Sequence, residues 1–152
     1  MQTYFQEMWA YSTWANQLIY EALMQLPEED ERCRGWFAHI LAAQDIWLAR
    51  LRDDAPAQVA VFPDATLDDC GEWMKRSHSN WAHWLASEPD FGATCTYQTT
   101  TGAEFSDGVQ DLVAHVVNHG THHRAQISAR IRELGATPPA TDLIFYLRTG
   151  AK

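Results

Sequence analysis

The sequence predicts an all-α domain, a four-helix bundle with a small hairpin before the fourth helix and a short helix near the C-terminal end. Three observations carry that prediction. Apolar residues recur at three- and four-residue spacing in four separate stretches, the period of an amphipathic helix. Proline, acidic or glycine-containing breaks divide those stretches. Only residues 94–106 are rich in β-branched and aromatic side chains around a glycine. The 152 residues are 46% hydrophobic and 20% charged, which fits one domain with a sizeable core. No repeat, low-complexity tract or linker divides the chain.

The first helix is expected over 3–25, where Phe5, Met8, Trp9, Ser12, Ala15, Ile19, Ala22 and Leu23 form a stripe ended by Leu26-Pro27. Thr3 is its expected N-cap, with Gln6 at the capping-box position. A short acidic link, Pro27 to Asp30, leads into a second helix over 31–52 and is expected to make the two antiparallel neighbours. Trp36, Ile40, Ala43, Gln44, Trp47 and Leu51 form that helix's stripe, with His39 at its edge. Residues 53–65, with Pro56 and Pro63, read as a loop long enough to set the third helix parallel to the second. Thr66 followed by Asp69 marks the start of that third helix, which runs to about residue 87 before Pro89. Asp107 is the expected cap of the fourth helix, over 108–134, with Gly135 past its end. Residues 142–148 then form a short apolar helix that covers one end of the core.

The formal charge of −9 argues against nucleic acid, because no basic stripe is available to neutralise phosphates. No stretch reaches the roughly 18 apolar residues of a membrane span, and the start has no secretory pattern. Cys33, Cys70 and Cys95 lack CxxC spacing and fit reduced thiols, so a cytoplasmic protein is expected. The seven tryptophans exceed the needs of one small core, which leads to the expectation of a homodimer.

Chemistry is concentrated in His115-Val-Val-Asn-His119-Gly-Thr-His-His123-Arg124-Ala-Gln126. His119 and His123 are one turn apart on the apolar face of the fourth helix, so both imidazoles can reach one cation. On that face each must find a partner or lose about 1–3 kcal/mol, and one shared metal serves both. A single inward histidine such as His39 reads first as a hydrogen-bonded core residue. His122 points elsewhere around the helix. His115, Arg124 and Gln126 are candidates for the pocket or for orienting a ligand. Arg124 could bind an anionic substrate or pair with Asp111 or Glu133. Glu7, Asp45 and Asp111 are possible carboxylates with no assigned role, and Cys95 reads as a packed thiol.

That segment, continued by Ile127, Leu134-Gly135 and Pro138-Pro139-x-x-Asp142-Leu143, resembles the DinB/YfiT-like family. The Trp36-Phe-Ala-His39 to Arg50-Leu51 segment is similar to that family's first metal-ligand helix. The resemblance spans nearly the whole chain, with Ala125 standing where the family usually has Gly. It implies an up-down-down-up bundle and a divalent metal, Zn or Ni first and Fe or others also open, held by His39, His119 and His123. It also implies a metal-dependent enzyme, a transferase or hydrolase that activates a water or a thiol. Thiol-dependent S-transferases in the family act with a small-molecule substrate and a low-molecular-weight thiol. The alternative is a non-catalytic, metal-stabilised stress-response or assembly protein.

Overall fold

The computed structural model describes residues 1–149. Four long helices dominate it: α1 (Gln2–Met24), α2 (Glu31–Leu51), α3 (Leu67–Ala86) and α4 (Val109–Glu133). An antiparallel hairpin, β1 (Thr94–Gln98) and β2 (Glu104–Gly108), precedes α4, and α5 (Leu143–Thr149) follows it. Each element lies within a residue or two of its expected span.

Side-chain ties between helices give their relative directions. Gln2 donates to the Leu85 carbonyl at 3.3 Å and Trp9 to the His78 carbonyl at 3.2 Å, while Tyr20 lies against Gly71. Rising numbers in α1 thus meet falling numbers in α3. The same holds for α2 and α4, where Asp30 pairs with Arg130 at 2.8 Å, His39 meets His119 and Trp47 meets His115. In contrast, α2 and α3 run together. Arg34 donates to the Ala65 carbonyl, Ser77 to Gln44 and Arg52 to the Asn80 carbonyl. The long connection read from Asp53 onward therefore places α3 alongside α2 in the same direction.

The short link between α1 and α2 does not make them close neighbours. α1 packs chiefly along α3 and α4, and α2 likewise, so the link crosses the diagonal. The α1 stripe is shared between those two flanking helices. It meets α2 through core side chains such as the Tyr20–Phe37 ring pair at 6.0 Å.

Two expected caps are replaced. Met1 rather than Thr3 stands at the N-cap of α1, with no side-chain bond, and the Gln2 and Gln6 amides reach the end of α3 instead. Gly108 rather than Asp107 precedes α4, because the ladder extends one residue further and Asp107 accepts from the Tyr97 hydroxyl at 2.8 Å. At α3 the capping box of Thr66 and Asp69 is complete, and Asp30 caps α2 by accepting from the Cys33 amide at 3.0 Å. Gly135, at φ +83°, closes α4 in the left-handed conformation that glycine adopts without strain.

The tryptophans divide between the core and its margin. Trp9, Trp73, Trp81 and Trp84 are buried within the chain, and Trp14, Trp36 and Trp47 are partly covered. Tyr146 of α5 closes one end of this core against Tyr11 and Trp14.

Gly71 marks a close approach of α3 to α1, since a Cβ there would stand 2.8 Å from Tyr20 Cζ. Alanine gains about 1 kcal/mol of helix propensity, but overpacking costs about 1–3 kcal/mol against a ring held by Phe37. Gly71→Ala is therefore expected to lower stability by about 1 kcal/mol. An unchanged or higher urea midpoint would show that Tyr20 yields freely.

Candidate metal centre

The three histidines proposed from sequence do meet. His39 lies on α2 and His119 and His123 on α4, at the point where these antiparallel helices cross mid-length. The Nε2 atoms of His39 and His119 are 3.1 Å apart, and those of His123 and His119 3.2 Å. Nitrogens at roughly 2.0–2.1 Å from a tetrahedral Zn²⁺ would stand about 3.3 Å from one another. The spacing therefore suits three ligands of one ion better than three independent side chains.

The outer ring nitrogens explain why Nε2 is presented. His39 Nδ1 lies 2.6 Å from the Val61 carbonyl, which can only accept. That ring nitrogen therefore carries the proton, and Nε2 keeps its lone pair. His123 Nδ1 lies 2.7 Å from Gln126 Oε1, and donating there leaves the His123 Nε2 lone pair free. Two lone pairs then converge on His119 Nε2, and a single proton there cannot serve both well. A shared cation would resolve the conflict, and hydrogen bonds of this kind hold a ligand ring in orientation.

Burial and the neighbouring His123 and His39 push His119 down to about 3, and burial likewise lowers His123. Both rings are neutral near pH 7, the form that ligates metal. His39 is buried and the other two are partly exposed. A cavity of about 250 Å³ reaches His39 and His119, lined also by Ile46, Trp47, Arg50 and the hairpin turn at Thr99 and Thr100. Larger cavities border α1, and among the described residues no such donor group lines them.

The other candidates separate. Gln126 bonds His123. His115 is exposed and packs edge-on against Trp47 at 5.2 Å, with its ring 5.8 Å from that of His119. His122 is exposed. Arg124 neither faces the cavity nor pairs with Asp111 or Glu133. It is 1% exposed and donates to Asn16 at 2.8 Å, Thr121 at 2.9 Å and Ser12 at 3.4 Å. One position after His123, it is turned about 100° around α4 toward α1. Gly120 leaves room for it, since a Cβ there would meet Arg124 Nη1 at 2.9 Å. Glu133 pairs with Arg130 instead. Ala125 is exposed, so its methyl disturbs no helix contact.

No carboxylate among Glu7, Asp45 and Asp111 lines the cavity at the histidines; Asp45 accepts from Trp73 Nε1 at 2.6 Å. Cys95 packs under the hairpin with its thiol on the Arg50 carbonyl, and burial raises its pKa.

Sequence reading missed the connection between α2 and α3 as part of the site. Besides the Val61 carbonyl it supplies Phe62, whose ring stacks on His39 at 4.0 Å with a 6° interplanar angle although it is 63% exposed. The available signal was the apolar Val59-Ala-Val-Phe62 run in a loop otherwise made of Asp, Gln, Ala and Pro. Arg50, Thr99 and Thr100 were missed too, because only the fold brings the hairpin turn over α2.

A family model described as DinB family matches residues 1–151. Protein DinB of Bacillus subtilis (strain 168) is 25% identical over 158 aligned positions, spanning 93% of this chain and 92% of that protein. With nearly its whole length matched, the chain belongs to the DinB family.

Proposed function

We propose that the protein is a metal-dependent enzyme whose His39, His119 and His123 hold one divalent ion. The observation that carries this reading is the convergence of three Nε2 atoms, with the outer nitrogens of two of the rings engaged by Val61 and Gln126. Zn²⁺ and Ni²⁺ head the candidates and Fe²⁺ is also open, since imidazole donors suit all three. An ion bound there acidifies a water or thiol at an open position, turning it into a nucleophile at neutral pH.

The chain's own residues prepare that position. The Val61 carbonyl and Gln126 hold two rings, and Phe62 covers His39. The cavity brings a small molecule to the exposed side. The donor group contains no fourth His, Cys, Asp or Glu among the described residues, whereas structural zinc sites normally close their fourth position with protein. This favours catalysis over the stabilising role. The reading includes a low-molecular-weight thiol as co-substrate, S-transfer as the reaction class, and the up-down-down-up bundle, which the order of inter-helix ties supports.

Protein purified without a metal-chelating tag should carry close to one transition-metal ion per chain by elemental analysis. Dialysis against chelator should abolish turnover of thiol and electrophile pairs, and one equivalent of metal should restore it. Turnover that is indifferent to chelation would refute the enzymatic reading.

A further inference from the structure

Arg50 stands out among the arginines. Arg34 pairs with Glu29 and Asp64, Arg130 with Asp30 and Glu133, and Arg124 is enclosed by Ser12, Asn16 and Thr121. Arg50 lines the cavity that reaches His39 and His119, yet among the described residues no carboxylate lies within ion-pair distance of it. Its guanidinium rests in the corner made by two rings, 4.4 Å from Trp47 and 4.9 Å from Tyr97, which meet edge to face. One donor, Nη2, reaches the Gln98 carbonyl at 3.1 Å. Aromatic faces orient the plane and leave the remaining N–H groups open.

We infer that Arg50 is the specificity residue of this site, recognising an anionic group, such as a carboxylate, at the far end of the small molecule whose other end reaches the histidines. The inference rests on the metal-centre reading and adds the substrate's charge and length. A planar fork of N–H donors matches a carboxylate in paired hydrogen bonds. His39 and Arg50 are eleven positions apart on α2, with Ala43, Ile46 and Trp47 between them along the cavity wall. At roughly 1.5 Å per residue the two Cα atoms are about 16 Å apart along the axis. The guanidinium lies back over Trp47, which shortens the gap between the histidines and the cation to on the order of 10 Å. Beyond Arg50 the adjoining groove is lined by Asp53, Asp54 and Glu104. An anionic end group is therefore welcome at Arg50 and repelled further out.

Cobalt-loaded protein titrated with mercaptans tests this, followed by thiolate-to-cobalt charge-transfer absorption. The probes are 6-mercaptohexanoate, the uncharged 6-mercaptohexanol and the shorter mercaptoacetate. Wild type should bind 6-mercaptohexanoate about tenfold more tightly than 6-mercaptohexanol, as expected for one partly exposed charge-assisted contact. Mercaptoacetate should gain nothing from its charge. Arg50→Gln should equalise hexanoate and hexanol with cobalt stoichiometry unchanged, and Arg50→Lys should keep part of the preference. A wild type that binds cobalt but does not prefer the carboxylate overturns the Arg50 assignment alone, as does a preference that survives in Arg50→Gln. The wild-type comparison decides even if a variant folds poorly. Failure to bind cobalt at all overturns the metal centre and this inference together.

Discussion

His119→Ala is expected to abolish stoichiometric metal binding, weakening affinity by more than the 10–100-fold typical of losing only a group that orients a ligand. His119 is the middle member, with its Nε2 within 3.2 Å of both others, so its removal leaves two donors on different helices with nothing between them. The effect should appear in stability as well. A ligand that binds only the folded state adds about 2.7 kcal/mol at a concentration 100 times its Kd. Metal should therefore raise the thermal midpoint of wild type and leave that of the variant unmoved. Without metal the variant should be no less stable than wild type, because deleting the ring relieves crowding among desolvated imidazoles. His122→Ala, on the exposed side of the same helix, should behave as wild type throughout. An equal response to metal in the two variants would show that metal binds elsewhere.

The second large effect concerns acid stability and lies outside the metal centre. Arg124 donates to Asn16 Oδ1 at 2.8 Å, which fixes the Asn16 amide so that Nδ2 faces His78 Nε2 at 3.2 Å. That amide donates, so the ring must accept there and stay neutral. A proton on His78 Nε2 would oppose the amide hydrogens and place an imidazolium beside a guanidinium. Burial first, and the Arg124 charge second, push His78 down to about 4 from the usual 6.5. The unfolded chain therefore takes up this proton at higher pH than the folded one. The contribution of neutral His78 to stability is therefore expected to be fully present above pH 6.5, to be lost between 6.5 and 4, and to level below 4. Each tenfold weakening of proton affinity on folding corresponds to about 1.4 kcal/mol, so the loss across this window amounts to about 3 kcal/mol. The metal-free histidine centre adds to it, so the His78 share is read as a difference between proteins. His78→Gln retains an acceptor for Asn16 without a titrating group. Denaturant midpoints followed from neutral pH down to about pH 4 should converge for wild type and variant, or cross, as pH falls. Parallel curves would show that His78 does not titrate in this window.

The sequence was informative wherever local pattern decides structure. Apolar spacing placed the long helices, and Thr66 with Asp69 and the terminal Gly135 set ends that hold. The His119–His123 pair on α4 was legible because both residues lie on one helix, where i and i+4 share a face. His39 needed the family resemblance, since no periodicity states which residue of α2 faces which residue of α4. Arg124 was misread for a related reason. Its type and its place beside a ligand suggested chemistry, but one step around a helix is about 100°, which turned it into the interface with α1. The missed parts of the site come from backbone and loop. A carbonyl such as that of Val61 carries no sequence signature, and the Thr99–Thr100 turn reaches the cavity only after the hairpin has packed.

The segment that returns from α2 to α3 is more than a tether. Since the Val61 carbonyl secures one imidazole and Phe62 shields it, local opening of residues 57–63 and release of an ion bound at the three histidines would be two views of the same equilibrium. Amide exchange along that stretch should slow when the centre is filled and quicken when it is emptied. Trimming or lengthening this span, ordinarily a harmless edit in a helical protein, would then retune how tightly the cation is gripped with every coordinating side chain left in place.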